Sequence, residues 1–217
     1  MSYPGETIRG VENYLSAAEI AVGLLSDPAV ASAWERPSAL ERLTVGGLAA
    51  HLSQQIVFVP QVLASPVDGA PITLLEHYSR VKWRGADLDQ ETNVGIREGS
   101  EALAEHGPGE VAGHAAAAVT VLRQALPAEP PGRAVFLSYA GWALTLGDYL
   151  VTRMMEISVH ADDLAVSVGL PTPQFPPGVT EPVIDLLSRL AVQRHGGTAV
   201  IRALSRAERA PATIAAI

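Results

Sequence analysis

Between Tyr149 and Ser167 a few polar residues recur at helical spacing inside an otherwise apolar run, and this pattern constrains the chain more than any other. At roughly 100° per residue, Tyr149, Arg153, Glu156, His160, Asp163 and Ser167 fall in one stripe of a helix, while Leu150, Met154, Ile157 and Leu164 point elsewhere. Glu156 and His160 stand one turn apart, roughly 40° from each other around the axis, so a carboxylate and an imidazole can reach one point in front of the helix. That is metal-ligand spacing. Two readings fit the stripe. In one it is the solvated face of an amphipathic helix, with Arg153 and Glu156 an ordinary i,i+3 ion pair. In the other the helix is buried on several sides, since most of its other faces are apolar too, and the polar line faces a cleft. Ionisable groups in such a place need partners or a metal.

A second histidine decides how much weight the stripe carries. Thr44 suits an N-cap, and the helix it opens, about Val45 to Ala64, places His51 on a broad apolar face with Leu48, Leu52, Val59 and Val62. Taken alone, His51 reads as a satisfied core histidine; beside Glu156 and His160 it becomes a candidate third ligand. Gln54 and Gln55 flank it, and either can orient a ligand or a water.

Composition closes off several classes of function. The 217 residues, 48% hydrophobic, suffice for one core with a small appendage and would be cramped as two full domains. A formal net charge of −8 without any Lys/Arg cluster argues against a nucleic-acid partner. With no cysteine there is no disulfide, no thiolate-bound zinc and no protein thiol nucleophile, so any thiol chemistry comes from a small molecule. Met1–Glu6 has neither a basic nor an apolar signal region, and no apolar run reaches membrane-spanning length. No membrane association and a cytoplasmic location are expected; a monomer and a homodimer both suit the sequence.

The remaining elements form a helical series. A first helix runs from about Thr7 to Ser26 on a stripe of Ile8, Val11, Leu15, Ile20 and Leu24 or Leu25, and Asp27-Pro28 ends it. A connector with Pro37 and Ser38 spans Trp34 to Leu43. Pro71 to about Val81 is a short helix, and Asp87 to His106 a polar one with Glu91, Glu98, Glu101 and Glu105 in solvent; His77 and His106 are placed at the surface. An Ala-rich helix covers Glu110 to Leu126. Arg133 to Leu146 suits a short hairpin or an irregular lead-in. The central helix opens at Gly147-Asp148 and stops at Gly169-Leu170-Pro171. Past a proline-rich linker, Thr180-Glu181-Pro182 starts a helix reaching about His195, and Thr198 to about Arg209 forms the last one.

The stretch Leu43-Thr44-Val45-Gly46-Gly47-Leu48-Ala49-Ala50-His51-Leu52, with Trp34 and Pro37 upstream, resembles the signature around the first metal-binding histidine of the mycothiol-dependent maleylpyruvate isomerase family, a branch of the DinB-like metal-binding four-helix bundles. Arg153, Glu156, His160, Asp163 and Leu164 fit that family's R-x-x-E-x-x-x-H-x-x-D-L pattern, and Gly169-Leu170-Pro171 follows as in the family. The resemblance spans roughly residues 10 to 170. It implies a mostly α fold, a DinB-like metal-binding bundle over residues 1–170, with a short C-terminal helical extension, 171–217, packed on it.

The resemblance also implies His51, Glu156 and His160 as ligands of a divalent metal, with zinc the expected ion and a fourth position open to substrate. Its chemistry is activation of a low-molecular-weight thiol, mycothiol in the family, as a nucleophile toward a small electrophilic substrate. Arg153 is then an anion anchor, with Gln55 beside it in thiol or substrate binding, and Asp163 orients His160. The isomerases proper carry a substantial second domain that contributes to their active site, whereas residues 171–217 here suit two helices, so S-transfer is expected over maleylpyruvate isomerisation. A non-catalytic metal or small-molecule binding bundle, a metal-dependent hydrolase and a purely structural polar network are the alternatives.

Overall fold

The computed structural model describes residues 8–85, 87, 89–130 and 132–217. The N-terminal segment Met1–Glu6 and the side chain of Ile8 lie outside the described residues. Nine helices and one hairpin follow in order: α1 (Ile8–Leu25), α2 (Pro28–Ser32), α3 (Val45–Ala64), α4 (Leu74–Arg80), α5 (Glu91–Ala104), α6 (Pro108–Ala125), β1 (Ala134–Leu137), β2 (Trp142–Thr145), α7 (Leu146–Val168), α8 (Pro177–His195) and α9 (Gly197–Ser205). Asp27 does more than end α1: its carboxylate accepts from the Ala29 N–H and caps α2, a helix that the connector's sequence does not suggest.

Helices α1, α3, α6 and α7 form the bundle, each of α1 and α3 packing against both α6 and α7, and α5 covers the outer side of α3. The core between them is aliphatic with inserted tyrosines; Tyr14, Leu48, Leu52, Ile56, Leu122 and Tyr149 are all at most 1% exposed. Tyr14 of α1 donates from its hydroxyl to the Gln55 carbonyl of α3, satisfying the one polar atom that its ring carries into the core. Helix α8 packs on α1 and α7 and adds Val179, Val183, Leu186 and Leu190 to the same continuous core. It begins at Pro177, not at Thr180 as the sequence suggested, which leaves Pro182 inside the helix. Gly178 explains the earlier start: a Cβ there would lie 2.3 Å from the Asn13 amide oxygen, so only glycine lets α8 approach α1 this closely.

Every free N–H at the start of α3 has an acceptor, and this fixes where His51 sits. The Thr44 N–H donates to Glu101 at 2.7 Å, the Val45 N–H to the Arg36 carbonyl at 2.8 Å, the Gly46 N–H to the Trp34 carbonyl at 2.8 Å and the Gly47 N–H to the Thr44 hydroxyl oxygen at 2.9 Å. Glu101 is therefore not solvated, as expected from its polar helix; its second carboxylate oxygen takes the Thr44 hydroxyl at 2.8 Å, and its charge lies at the positive end of α3. The two glycines allow the approach, because a Cβ on Gly46 would stand 2.7 Å from the Trp34 indole and one on Gly47 2.5 Å from Glu101.

The indole of Trp34 has little room to yield: it is 8% exposed and donates to the Ala104 carbonyl at 3.1 Å. Gly46→Ala should accordingly cost about 1–3 kcal/mol through overpacking, read as a lower midpoint in urea unfolding at an unchanged slope. An unchanged midpoint would show that the indole moves freely.

The hairpin decides where α7 starts. β1 and β2 pair antiparallel, with Ala134 opposite Thr145 and Leu137 opposite Trp142, around a turn in which Gly141 has φ 85°. Thr145 ends the second strand and caps α7, its hydroxyl accepting the Asp148 N–H at 3.1 Å. At the far end Gly169, with φ 74°, terminates α7, and the Leu170 N–H donates back to the Ala165 carbonyl at 2.9 Å.

Candidate metal centre

His51 enters the centre from α3, and Glu156 and His160 from α7. One ligand atom from each of the three lies within 4.8 Å of the others, and the two imidazole rings meet edge to face with centroids 4.7 Å apart. His160 Nε2 is 3.2 Å from Glu156 Oε2, the separation of two ligands that share one zinc ion at about 2 Å each. The Glu156 and His160 side chains are 14% and 13% exposed, so the polar stripe faces a confined cleft and is not a solvated face. Its Arg153 does not pair with Glu156 among the described contacts but reaches across to the Gln55 side-chain oxygen on α3, with Arg153 Nε donating to the Thr152 hydroxyl at 3.0 Å.

Outer partners settle which nitrogen each imidazole presents. His160 Nδ1 lies 3.1 Å from Asp163 Oδ2, which leaves Nε2 facing Glu156. For His51 the outer partner is Ser100 of α5, whose hydroxyl gives its proton to the Ile96 carbonyl at 2.8 Å and lies 3.4 Å from His51 Nδ1. With the serine proton spent, its oxygen can accept only the Nδ1–H, so the lone pair of His51 is on Nε2. Ser100 carries no sequence signal for this role: it stands among polar residues on a polar helix, and only the packing of α5 on α3 brings it to His51.

The charges suit a cation. Burial, reinforced by His160, pushes His51 down to about 4, so it is neutral with a free lone pair. Burial would also lower His160, but hydrogen bonds to Asp163 and Glu156 outweigh it and raise the imidazole to about 9. Burial would raise Glu156, yet the hydrogen bond and charge of His160, with Arg153 behind them, hold the carboxyl down at about 2. In the metal-free protein a proton on His160 thus lies between two carboxylates, where a divalent ion can replace it. Ser167 closes the end of the stripe, accepting the Ala39 N–H at 2.8 Å and donating to the Asp163 carbonyl at 2.6 Å.

Below the three residues lies a second polar group. The Arg153 guanidinium is stacked 5.3 Å from the centre of the Tyr149 ring, while Gln55 accepts from Arg153 and donates from its own amide nitrogen to the His51 carbonyl at 2.8 Å. Gln55 is 4% exposed and Gln54 stays outside this arrangement. His77 is not at the surface: it is 3% exposed, because the hairpin covers α4 and the Trp142 indole N–H donates to His77 Nδ1 at 3.0 Å. His106 is exposed, as its sequence context suggested.

A helical bundle that brings two imidazoles and a carboxylate from two helices to one partly buried point defines a candidate metal-binding protein of the DinB-like helical class. The sequence model of the mycothiol maleylpyruvate isomerase N-terminal domain matches residues 15–165, more than half of the chain, and the protein belongs to that family. The match includes all three cluster residues and stops short of α8. No curated protein and no solved structure gives a significant match. Among the described residues, no helix is long and apolar enough to cross a membrane.

Proposed function

We propose that this protein is a metal-dependent enzyme that activates a low-molecular-weight thiol of the mycothiol type for S-transfer to a small electrophile. The observation that carries the reading is the convergence of His51, Glu156 and His160 on one point, three donors that suit zinc and leave a position open for an exogenous group. A divalent ion held there supplies Lewis acidity, lowering the pKa of a coordinating thiol so that it reacts as thiolate near neutral pH.

The chain's own residues do the rest. Asp163 and Ser100 hold the two imidazoles in the tautomer that presents Nε2. Arg153, kept in place by Gln55 and Tyr149, supplies a full positive charge for a carboxylate of the thiol or of the electrophile. The confined cleft limits water around the sulfur. In the transfer the thiol proton leaves to solvent and a sulfur lone pair forms the new C–S bond. The displaced electron pair passes to a leaving group or to a conjugated carbonyl oxygen, which takes a proton from water. The absence of cysteine from the chain agrees with a borrowed thiol.

Cobalt-substituted protein titrated with mycothiol tests the reading. A sulfur-to-metal charge-transfer band is expected, with Arg153→Ala weakening thiol or substrate binding. If no thiol perturbs the cobalt spectrum, thiol transfer is ruled out and hydrolysis or a binding role takes its place.

A further inference from the structure

Helix α4 gives no residue to the three-residue cluster, yet it turns His77 and Tyr78 inward, 3% and 2% exposed, with their rings edge to face and centroids 4.9 Å apart. An indole N–H only donates, so His77 Nδ1 must accept the Trp142 bond and the neutral ring carries its proton on Nε2, for which no partner is recorded among the described residues. The ring is neutral because burial, then the charge of Arg153, pushes it down to about 4. The Tyr78 hydroxyl is the one buried side-chain polar atom without a hydrogen-bond partner among the described residues. A buried donor left unpaired costs stability, and in a native site it marks a partner that arrives from outside.

Charge coupling places both groups at the cleft. After burial, the strongest influences on the Tyr78 hydroxyl are Glu156 and then Arg153, and those on His77 are Arg153 and then Glu156. Arg153 itself lies on the Tyr149 ring with two of its nitrogens spent on Gln55 and Thr152. The group beneath the cluster is therefore rich in donors: a guanidinium, a phenol O–H and an imidazole N–H.

We propose that the Tyr78 hydroxyl and the His77 Nε2–H donate to a carboxylate of the small molecule that Arg153 anchors, so that α4 selects ligands bearing a carboxylate. This rests on the reading of the cleft as a small-molecule site. An ammonium would be repelled by Arg153, and a ligand without the carboxylate would leave all three donors unpaired, the situation in which hydrogen-bonding sites discriminate most strongly. Tyr78 also borders a cavity of about 240 Å³ lined by Arg84, Gln193 and Arg194. There Arg84 is already committed to the Leu190 and Ala216 carbonyls and the Gln193 side chain.

The test compares wild-type protein, Tyr78→Phe and Arg194→Ala. Tyr78→Phe removes the orphaned hydroxyl while keeping the ring, so the ligand-free variant should melt roughly 2–6 °C higher than wild type. In the cobalt-substituted protein its affinity for mercaptoacetate, a thiol with a carboxylate, should fall roughly 10- to 100-fold, while that for 2-mercaptoethanol is unchanged. Arg194→Ala should leave both affinities as they are. If 2-mercaptoethanol perturbs the cobalt spectrum but Tyr78→Phe leaves mercaptoacetate binding intact, the carboxylate site is overturned and thiol activation stands. If neither thiol perturbs cobalt, thiol activation falls, and succinate binding to metal-loaded protein decides the carboxylate site: equal affinity in wild type and Tyr78→Phe overturns it. Weakening by Arg194→Ala equal to that by Tyr78→Phe also overturns it, by moving the acceptor to the Arg84 cavity.

Discussion

His51→Ala and His160→Ala are each expected to reduce the metal content of purified protein from about one divalent ion per chain to background. The three donors come from two helices, so removing either imidazole leaves at most a two-residue site. The loss should exceed the roughly 10- to 100-fold that follows removal of an outer partner. Neither substitution should unfold the bundle. His51 and His160 are only partly buried at the rim of a core built from Leu48, Leu52, Ile56, Leu150, Met154 and Ile157, and that core is untouched by the change. Elemental analysis of protein expressed in metal-replete medium, with circular dichroism as the control for folding, reads the result. Full occupancy in both variants would remove the metal centre from the account.

Asp163→Asn should weaken metal affinity by roughly 10- to 100-fold without loss of fold. The carboxylate lies 3.1 Å from His160 Nδ1 and is 28% exposed, so it orients the ring and makes Nε2 a better donor, while little of the core depends on it. An amide oxygen can still accept the Nδ1–H, but it brings no negative charge, so the variant isolates the electrostatic part of the effect. Competition with a chelator gives the affinity. An unchanged value, or a protein that unfolds yet keeps its metal, would make Asp163 a structural residue.

The fold depends on α5 and the hairpin in ways that bear on both experiments. Glu101 anchors the start of α3 through Thr44, and Ser100, one residue before it, meets His51. A single polar helix thus sets both the position and the tautomer of one candidate ligand. On the other side Thr145 fixes the start of α7, and the preceding Trp142 holds His77. Changes in either element should reach the centre without touching a ligand.

By itself the sequence determined the helical class and most of the helices, because apolar spacing, N-cap threonines at 44 and 145 and the glycine at 169 are local signals, read within a few residues of where they act. It also singled out His51, Glu156 and His160, since the i,i+4 pair on α7 is a local geometric fact and the two motifs recur together in the family. Whether the stripe faced solvent or a cleft was beyond it, as was the turn of Arg153 to Gln55 and not to Glu156, because both depend on which helix packs opposite α7. The inward position of His77, the capping role of Glu101 and the contact of Ser100 with His51 were decided only by tertiary structure. Each joins residues far apart in the chain, 65 positions between His77 and Trp142 and 57 between Glu101 and Thr44, and a polar residue on a short or polar helix has no local mark of the buried partner it will meet.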